Sequence, residues 1–338
     1  MSQDCCCAAS AGNAKQTPAV ATALSFQDML GAWKVRWGIG RLDYKVAPGL
    51  YAVGQPDSEA VVLVSANYKL TFDTLRKNLA GLDCWLLILD TKGVNVWCAA
   101  GKGTFGTSEL VKRLKATRLA EIVTHRRLIL PQLSASGISA PRIERITGFS
   151  VLYGPVRAND IKAFLTAGCQ ASADMRRVKF TLRDRLVLTP MELVPALKIS
   201  LFMLGVLFLL NLFAARPFNA FDLAVYAGAV LTGTVLTPVL LPWIPGKAFA
   251  WKGWLLGLAW TALALWLFGW YAVGHRWLAT GYLLLLPALS AYLALNFTGS
   301  STYTSPSGVL QEMKTALPLI AVSSLIGTVL VLITHLFI

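Results

Sequence analysis

The feature that most constrains this chain is where it carries no charge. After Lys198, residues 199–215, 223–246, 253–275, 277–311 and 315–338 contain no Asp, Glu, Lys or Arg. A helix that crosses a membrane needs about 20 apolar residues. The fourth window exceeds one crossing, but its 298–308 stretch reads TGSSTYTSPSG, polar and turn-forming, so a helix is expected to end near Asn296 before a loop. The first window is short by a turn, yet Leu193 and Leu197 extend it and Lys198 can snorkel, which starts that helix near Met191. Five transmembrane helices are therefore expected over residues 191–338. The 338-residue chain is 55% hydrophobic and 14% charged, with mean hydropathy +0.57, against about a quarter charged in ordinary soluble domains. One soluble domain, a disordered chain and a β-barrel are all excluded by these long uncharged runs.

The charges that remain are unevenly placed. Lys and Arg number 26 before Ile199 and 5 after it, Asp and Glu 15 before and 2 after, so a net +11 falls on the first part and +3 on the second. Arg176, Arg177, Lys179, Arg183, Arg185 and Lys198 cluster just ahead of the first helix, making residues 173–190 a basic juxtamembrane linker. By the positive-inside rule the N-terminal domain then lies in the cytoplasm, the protein is multi-pass in the inner (cytoplasmic) membrane, and an odd helix count leaves the C-terminus outside. No apolar run opens the chain, so no signal peptide is expected. No charged residue lies within a window, which favours an anchor or subunit-docking module over a transporter. The glycines at 228, 233, 253 and 257 suit close helix packing.

Residues 1–24 are small and polar without periodicity and read as a mobile tail. From residue 25 to 172 short apolar runs alternate with helical stretches. Residues 50–53, 61–64, 85–89, 128–130 and 149–153 read as strands buried on both sides, and 72–79, 107–115, 141–146 and 158–167 as helices. The alternation predicts an α/β fold with a mostly parallel sheet. Ligands of such sheets bind beyond the carboxyl ends of the strands. That places SANYK, DTKGVNVWCAAGKGTFG, PQLSASG and GPVRAND, which follow the second to fifth strands, around the expected mouth.

The second of these segments carries the chemistry. Gly101, Gly103 and Gly106 spell G-x-G-x-x-G, but a dinucleotide fingerprint leaves its strand directly and here Trp97 and Cys98 intervene. A phosphate loop of the G-x-x-x-x-G-K-[ST] type would need glycine where Val96 stands and Ser or Thr where Gly103 stands. With Asn95 as N-cap, Val96, Trp97 and Cys98 form a first helical turn whose free amides favour an anion, and Lys102 follows one turn later. A thiolate is the form of cysteine that binds metal or attacks. Ala99, Ala100, Gly101 and Gly103 then leave room for something large and flat. Cys84 and Cys169 read instead as inert small hydrophobes.

The stretch N-V-W-C-A-A-G-K from Asn95 to Lys102 resembles the cap-helix signature of the corrinoid protein of the bacterial mercury-methylation system. R-x-D-Y-K-V-x-P-G-L-Y at 41–51, A-N-Y-K-L at 66–70, L-D-T-K-G at 89–93 and the apolar C-terminal part are similar to it as well. The resemblance implies a Rossmann-like corrinoid-binding domain, related to the large subunit of the corrinoid iron–sulfur protein. It implies that Cys98 ligates the cobalt of cobalamin from the lower face, and that methyl-Co(III) delivers its methyl group to inorganic Hg(II) to give methylmercury. It further implies a ferredoxin-like partner with two [4Fe–4S] clusters as reductant, since residues 25–338 have no Cys-x-x-Cys of their own, and a methyltetrahydrofolate-dependent methyltransferase as methyl donor.

Around Cys98, Asn95 is expected to cap the helix, Trp97 to orient the turn by packing, and Lys102 to give electrostatic support. Ser65, Asn67 and Thr71 are weaker candidates for contacts to the corrin, with turn formation and capping an equal alternative for all three. The tail cysteines Cys5, Cys6 and Cys7 have no fixed geometry. The basic surplus suits an acidic partner or lipid headgroups, while nucleic acid is disfavoured because basic and aromatic residues do not interleave as in known modules. Two other readings stay open: a membrane-tethered nucleotide-dependent oxidoreductase using Gly101, Gly103 and Gly106, and a heavy-metal sensor or efflux component.

Overall fold

A computed structural model describes residues 17–269 and 276–337. The chain divides into two compact units, one formed by residues up to Val35 with Gly40–Arg177, the other by Arg36–Ile39 with Val178–Ile338. Each is described by itself.

The first unit is built on five strands: β1 (Gly49–Val53), β2 (Val62–Ala66), β3 (Cys84–Leu89), β4 (Arg127–Leu130) and β5 (Ser150–Tyr153). Their order is β1-β3-β2-β4-β5, with β1 antiparallel to β3 and every other pairing parallel. Central β2 is buried at every residue and β3 at all but one, which is why both read as continuous apolar runs. The edge strands depart from the expectation of burial on both sides. Leu152 in β5 is 38% exposed, and three of the five residues of β1 are half-buried.

Seven helices accompany the sheet: α1 (Phe26–Arg36), α2 (Lys69–Asn78), α3 (Val96–Gly101), α4 (Thr107–Ala116), α5 (Leu119–Ile122), α6 (Ala140–Thr147) and α7 (Ile161–Thr166). Alternate strand residues feed two cores. Val62, Val64, Leu87, Leu89, Leu128 and Leu130 pack with α3, α4 and α6, whereas Leu63, Leu86, Ile88 and Ile129 pack with α2 and α7. On the second face Asp28 of α1 bridges Lys69 and Arg76, and Asp73 of α2 binds the same two cations at 2.7 and 2.8 Å.

Residues 17–24, expected as the end of a mobile tail, are instead tied down. Ala52 N–H donates to the Pro18 carbonyl, Val20 N–H to the Ala52 carbonyl, and the Arg76 guanidinium to the carbonyls of Ala21 and Ala23. Backbone pairing needs no apolar side chain, so composition did not reveal it. Cys5, Cys6 and Cys7 lie outside the described residues.

The second unit is helical: α8 (Leu182–Leu188), α9 (Pro190–Asn211), α10 (Ala220–Leu231), α11 (Thr237–Leu240), α12 (Phe249–Leu267), α13 (Arg276–Asn296) and α14 (Pro306–Phe337), with a π-helical stretch Thr232–Leu236 between α10 and α11. Among the described residues, four helices are long and apolar enough to cross a membrane: Leu182–Asn211, Ala220–Leu240, Arg276–Ser300 and Ser307–Phe337. This corrects the expected five. The remaining helix, α12, is described over Phe249–Leu267, and residues 270–275 of the expected span lie outside the described residues.

The basic stretch 173–190 is not merely a linker. Thr181 and Asp184 form a capping box that starts α8, and Arg185, 3% exposed, donates to the carbonyls of Phe180 and Val239. Gly253 and Gly257 of α12 face Ser290 and Ala291 of α13 closely, and Gly233 approaches Ser290 likewise. The helix interior is not free of ionisable groups either. Asp222, in the first turn of α10, accepts the Tyr282 hydroxyl at 2.6 Å, and His335 in the last turn of α14 is fully buried.

Candidate functional site

Helix α3 begins where a side chain supplies the missing acceptor. Asn95 has extended backbone, φ −64° and ψ 161°, and its Oδ1 accepts the Cys98 N–H at 2.9 Å. Val96, Ala99 and Ala100 turn inward and are 7%, 0% and 4% exposed, which fixes the helix on the first core. Lys102 closes the helix as C-cap, its N–H bonded to the Cys98 carbonyl at 3.0 Å, and its side chain is exposed. Cys98 is half-buried with a free thiol.

Trp97 departs from its expected packing role, being 38% exposed. The inward face of so short a helix is already filled by Val96, Ala99 and Ala100, so Trp97 falls outside it. One turn on, Gly101 shares its side of the helix. A methyl group built at Gly101 or at Gly103 would meet no atom within 4 Å. The outward ground beside Cys98 is therefore open, with an aromatic ring at one end.

The turn that delivers the chain from β3 into α3 is held by Asn67. Its Oδ1 accepts from the Thr91 N–H at 3.1 Å, the Thr91 hydroxyl at 2.9 Å and the Gly93 N–H at 3.0 Å. Its Nδ2 donates to Asp90 at 3.3 Å. The Thr91 hydroxyl in turn reaches the Val94 carbonyl at 2.6 Å, directly before the cap. Lys92 and Gly93 have φ of +59° and +72°, a conformation that a non-glycine residue holds only when its surroundings impose it. Asp90 supplies part of that hold by taking the Lys92 ammonium at 2.7 Å, and this bond above all lowers the Asp90 pKa.

Other expected residues are placed differently. Asn67 is 2% exposed and occupied by these bonds, and Ser65 is 2% exposed within central β2, so neither presents a surface to a ligand. Thr71 is half-buried in the first turn of α2. Gly101 ends α3 and Gly106 caps α4, so the three glycines follow a helix rather than a strand. That arrangement is contrary to a dinucleotide loop. Cys84 lies in the second core with its thiol pushed up to about 12 by burial and by neighbouring Asp83. Cys169 is half-buried in a left-handed turn after α7. Among the described residues no group of three or more His, Cys, Asp or Glu could enclose a metal ion. Cys98 can thus act as a single protein ligand to a centre that brings its other ligands along.

Of the two roles open to Asn67 in the sequence, corrin contact or turn formation, its hydrogen bonds are those of turn formation. Sequence reasoning missed one residue here. Gly137 follows the 3-10 turn Gln132–Ser134 beyond β4. A Cβ there would collide with the Phe105 carbonyl and crowd Ala100, so this loop presses directly on the end of α3.

Residues 40–165 match the family model described as CO dehydrogenase/acetyl-CoA synthase delta subunit. Over 127 residues the chain is 35% identical to the acetyl-CoA decarbonylase/synthase complex subunit gamma of Archaeoglobus fulgidus, covering 37% of this chain and 27% of that protein. Subunit gamma of Methanopyrus kandleri is 36% identical over 124 residues, covering 36% and 26%, and that of Methanocaldococcus jannaschii 34% identical over 122 residues, covering 36% and 25%. The α/β unit is thus similar to a portion of subunits of these complexes, and the chain spans about a quarter of the length of the curated relatives it matches.

Proposed function

We propose that this chain is a membrane-anchored corrinoid protein in which Cys98 is the lower ligand of the cobalt of cobalamin, and that it transfers a methyl group to inorganic Hg(II). The observation that carries the reading is α3 itself: a capped turn offering one half-buried thiol beside open ground at Gly101 and Gly103, within the segment similar to acetyl-CoA decarbonylase/synthase subunits. A corrinoid would bring most of its cobalt's ligands with it and would need one soft donor from the protein, a role that Cys98 could fill. When bound, the corrinoid supplies the methyl group that a thiophilic electrophile accepts.

The chain's own residues do the rest. Cys98 would hold the cobalt. Asn95 fixes the backbone of the first turn by holding the Cys98 amide, and Asn67 fixes the turn on which Asn95 sits. Gly101 and Gly103 would leave room for the ring, Ala99 and Ala100 would let it approach the backbone, Trp97 would border it, and Lys102 would lend a positive charge. Val96 anchors the helix from the opposite side. The partners in this reading are a ferredoxin-like protein with two [4Fe–4S] clusters as reductant and a methyltetrahydrofolate-dependent methyltransferase as methyl donor. The domain boundaries are 25–172 for the corrinoid domain and 191–338 for the anchor, in the cytoplasmic membrane with the corrinoid domain inside.

The test is methyl transfer by membranes containing the full chain, supplied with cobalamin, a low-potential reductant, a methyl donor and Hg(II). Methylmercury should form with the native chain and fall to background with Cys98→Ala at equal membrane content. Undiminished formation by that variant rejects the assignment.

A further inference from the structure

Helix α1 presents an apolar face that nothing in its own unit covers. Phe26, Met29, Leu30 and Trp33, with Trp37 one residue beyond the helix, are 74%, 49%, 44%, 66% and 44% exposed. The spacing of the first four places them on one side of the helix, and Trp37 follows in the turn after it. The opposite side is the docked one: Asp28 binds Lys69 and Arg76, Gly31 faces the Tyr44 ring too closely for a methyl group, and Val35 is 2% exposed. The helix is thus fixed to its unit by polar and small residues while its large apolar residues point away, the reverse of a core helix.

Charge sorts in the same way. The acidic residue of α1, Asp28, lies on the docked side, whereas the exposed Lys34 borders the apolar stripe and Arg36, at its far edge, is half-buried with its Nε enclosed. An apolar stripe of Phe, Leu and Trp bordered by basic residues is the pattern of a helix lying in a lipid–water interface, with Trp at headgroup depth and cations toward anionic phosphates.

We infer that α1 lies in the plane of an anionic membrane surface, with Phe26, Met29, Leu30, Trp33 and Trp37 seated at the boundary between headgroups and acyl chains. This inference rests on the proposed membrane anchoring, and its test separates the two. The full chain is reconstituted into vesicles of phosphatidylethanolamine and phosphatidylglycerol that carry a lipid-borne diazirine, irradiated, digested and mapped by mass spectrometry. Label is expected on peptides covering 26–37 as well as on α9 and α14, with none on α4 to α6. Trp33→Glu combined with Trp37→Glu should reduce the α1 label several-fold while α9 and α14 stay labelled, and replacing phosphatidylglycerol by phosphatidylcholine should reduce it as well. Label on α9 and α14 without label on α1 overturns the inference and leaves the anchor intact, as does cross-linking of α1 to a second copy of the chain. Absence of label from all three defeats the anchor and the inference together.

Discussion

The two faces of the central sheet are covered by different means. On the face of α2 and α7, Asp28, Lys69, Asp73 and Arg76 neutralise one another and close the surface over a dense apolar layer. On the face of α3, the covering helix is six residues long, gives only Val96, Ala99 and Ala100 to the core, and leaves Cys98 half-exposed beside glycines with no neighbour. Both faces hold a cysteine, and the contrast is carried by them. Cys84, sealed in the second core with its thiol pushed up to about 12, is kept from ionising, while Cys98 sits where a ligand can reach it. Local surroundings, rather than residue type, separate a sealed cysteine from an accessible one.

Experiments that abolish the difference between the faces have the largest expected effects. Cys98→Ala should eliminate corrinoid ligation and methyl transfer while leaving thermal stability within about 1 kcal/mol, because a half-exposed thiol contributes little packing. Gly101→Leu fills the open ground without touching the sulfur. It should fold at least as well, since a non-glycine helical residue gains up to about 1 kcal/mol, yet lose bound corrinoid as completely as the cysteine variant, which absorbance of the purified protein would measure. Retention of corrinoid by Gly101→Leu would place the ring elsewhere.

The next effects fall on the supports. Asn67→Ala leaves the buried amides of Thr91 and Gly93 without their acceptor, at about 1–3 kcal/mol for each orphaned group. It should lower both the melting temperature and corrinoid retention. Asp28→Asn, on the sealed face, should cost about 2 kcal/mol by removing one of the two carboxylates on Lys69 and Arg76, which Asp73 still pairs, with corrinoid retention per folded molecule unchanged. Its pH signature is distinct. The Lys69 ammonium, with Ser25 and Arg76, holds the Asp28 carboxyl below its ordinary range, so its contribution is fully present above the unfolded carboxylate pKa of about 3.9 and is lost as pH falls below it. Acid denaturation of Asp28→Asn should lack that component. The smallest effect is expected for Asn95→Ala, about 1 kcal/mol for a lost N-cap, seen as partial loss of corrinoid and a less uniform cobalt spectrum.

The sequence made the five strands and the capped turn at Asn95 legible because each depends on residues adjacent in the chain. Runs such as those at 62–66 and 84–89 announce burial by themselves, and Asn95 stands three residues before the amide that it caps. What escaped depends on distant partners. Residues 17–24 are fixed by Ala52 and Arg76, α8 is held through Arg185 and the Val239 carbonyl, and Asn67 finds its partners some two dozen positions later. Trp97 was misplaced because an aromatic residue suggests packing, although the short helix had no inward position left for it. The membrane helices were legible as apolar runs, and four rather than five of the described helices are long and apolar enough to cross a membrane.

The central claim, that Cys98 is the protein's ligand to a corrinoid cobalt, is tested most directly by X-ray absorption at the cobalt edge on the full chain purified from membranes and loaded with cobalamin. A cobalt–sulfur distance in the native chain that disappears in Cys98→Ala is the expected result. A cobalt centre with no sulfur neighbour, or a sulfur neighbour that persists in the variant, would contradict the account.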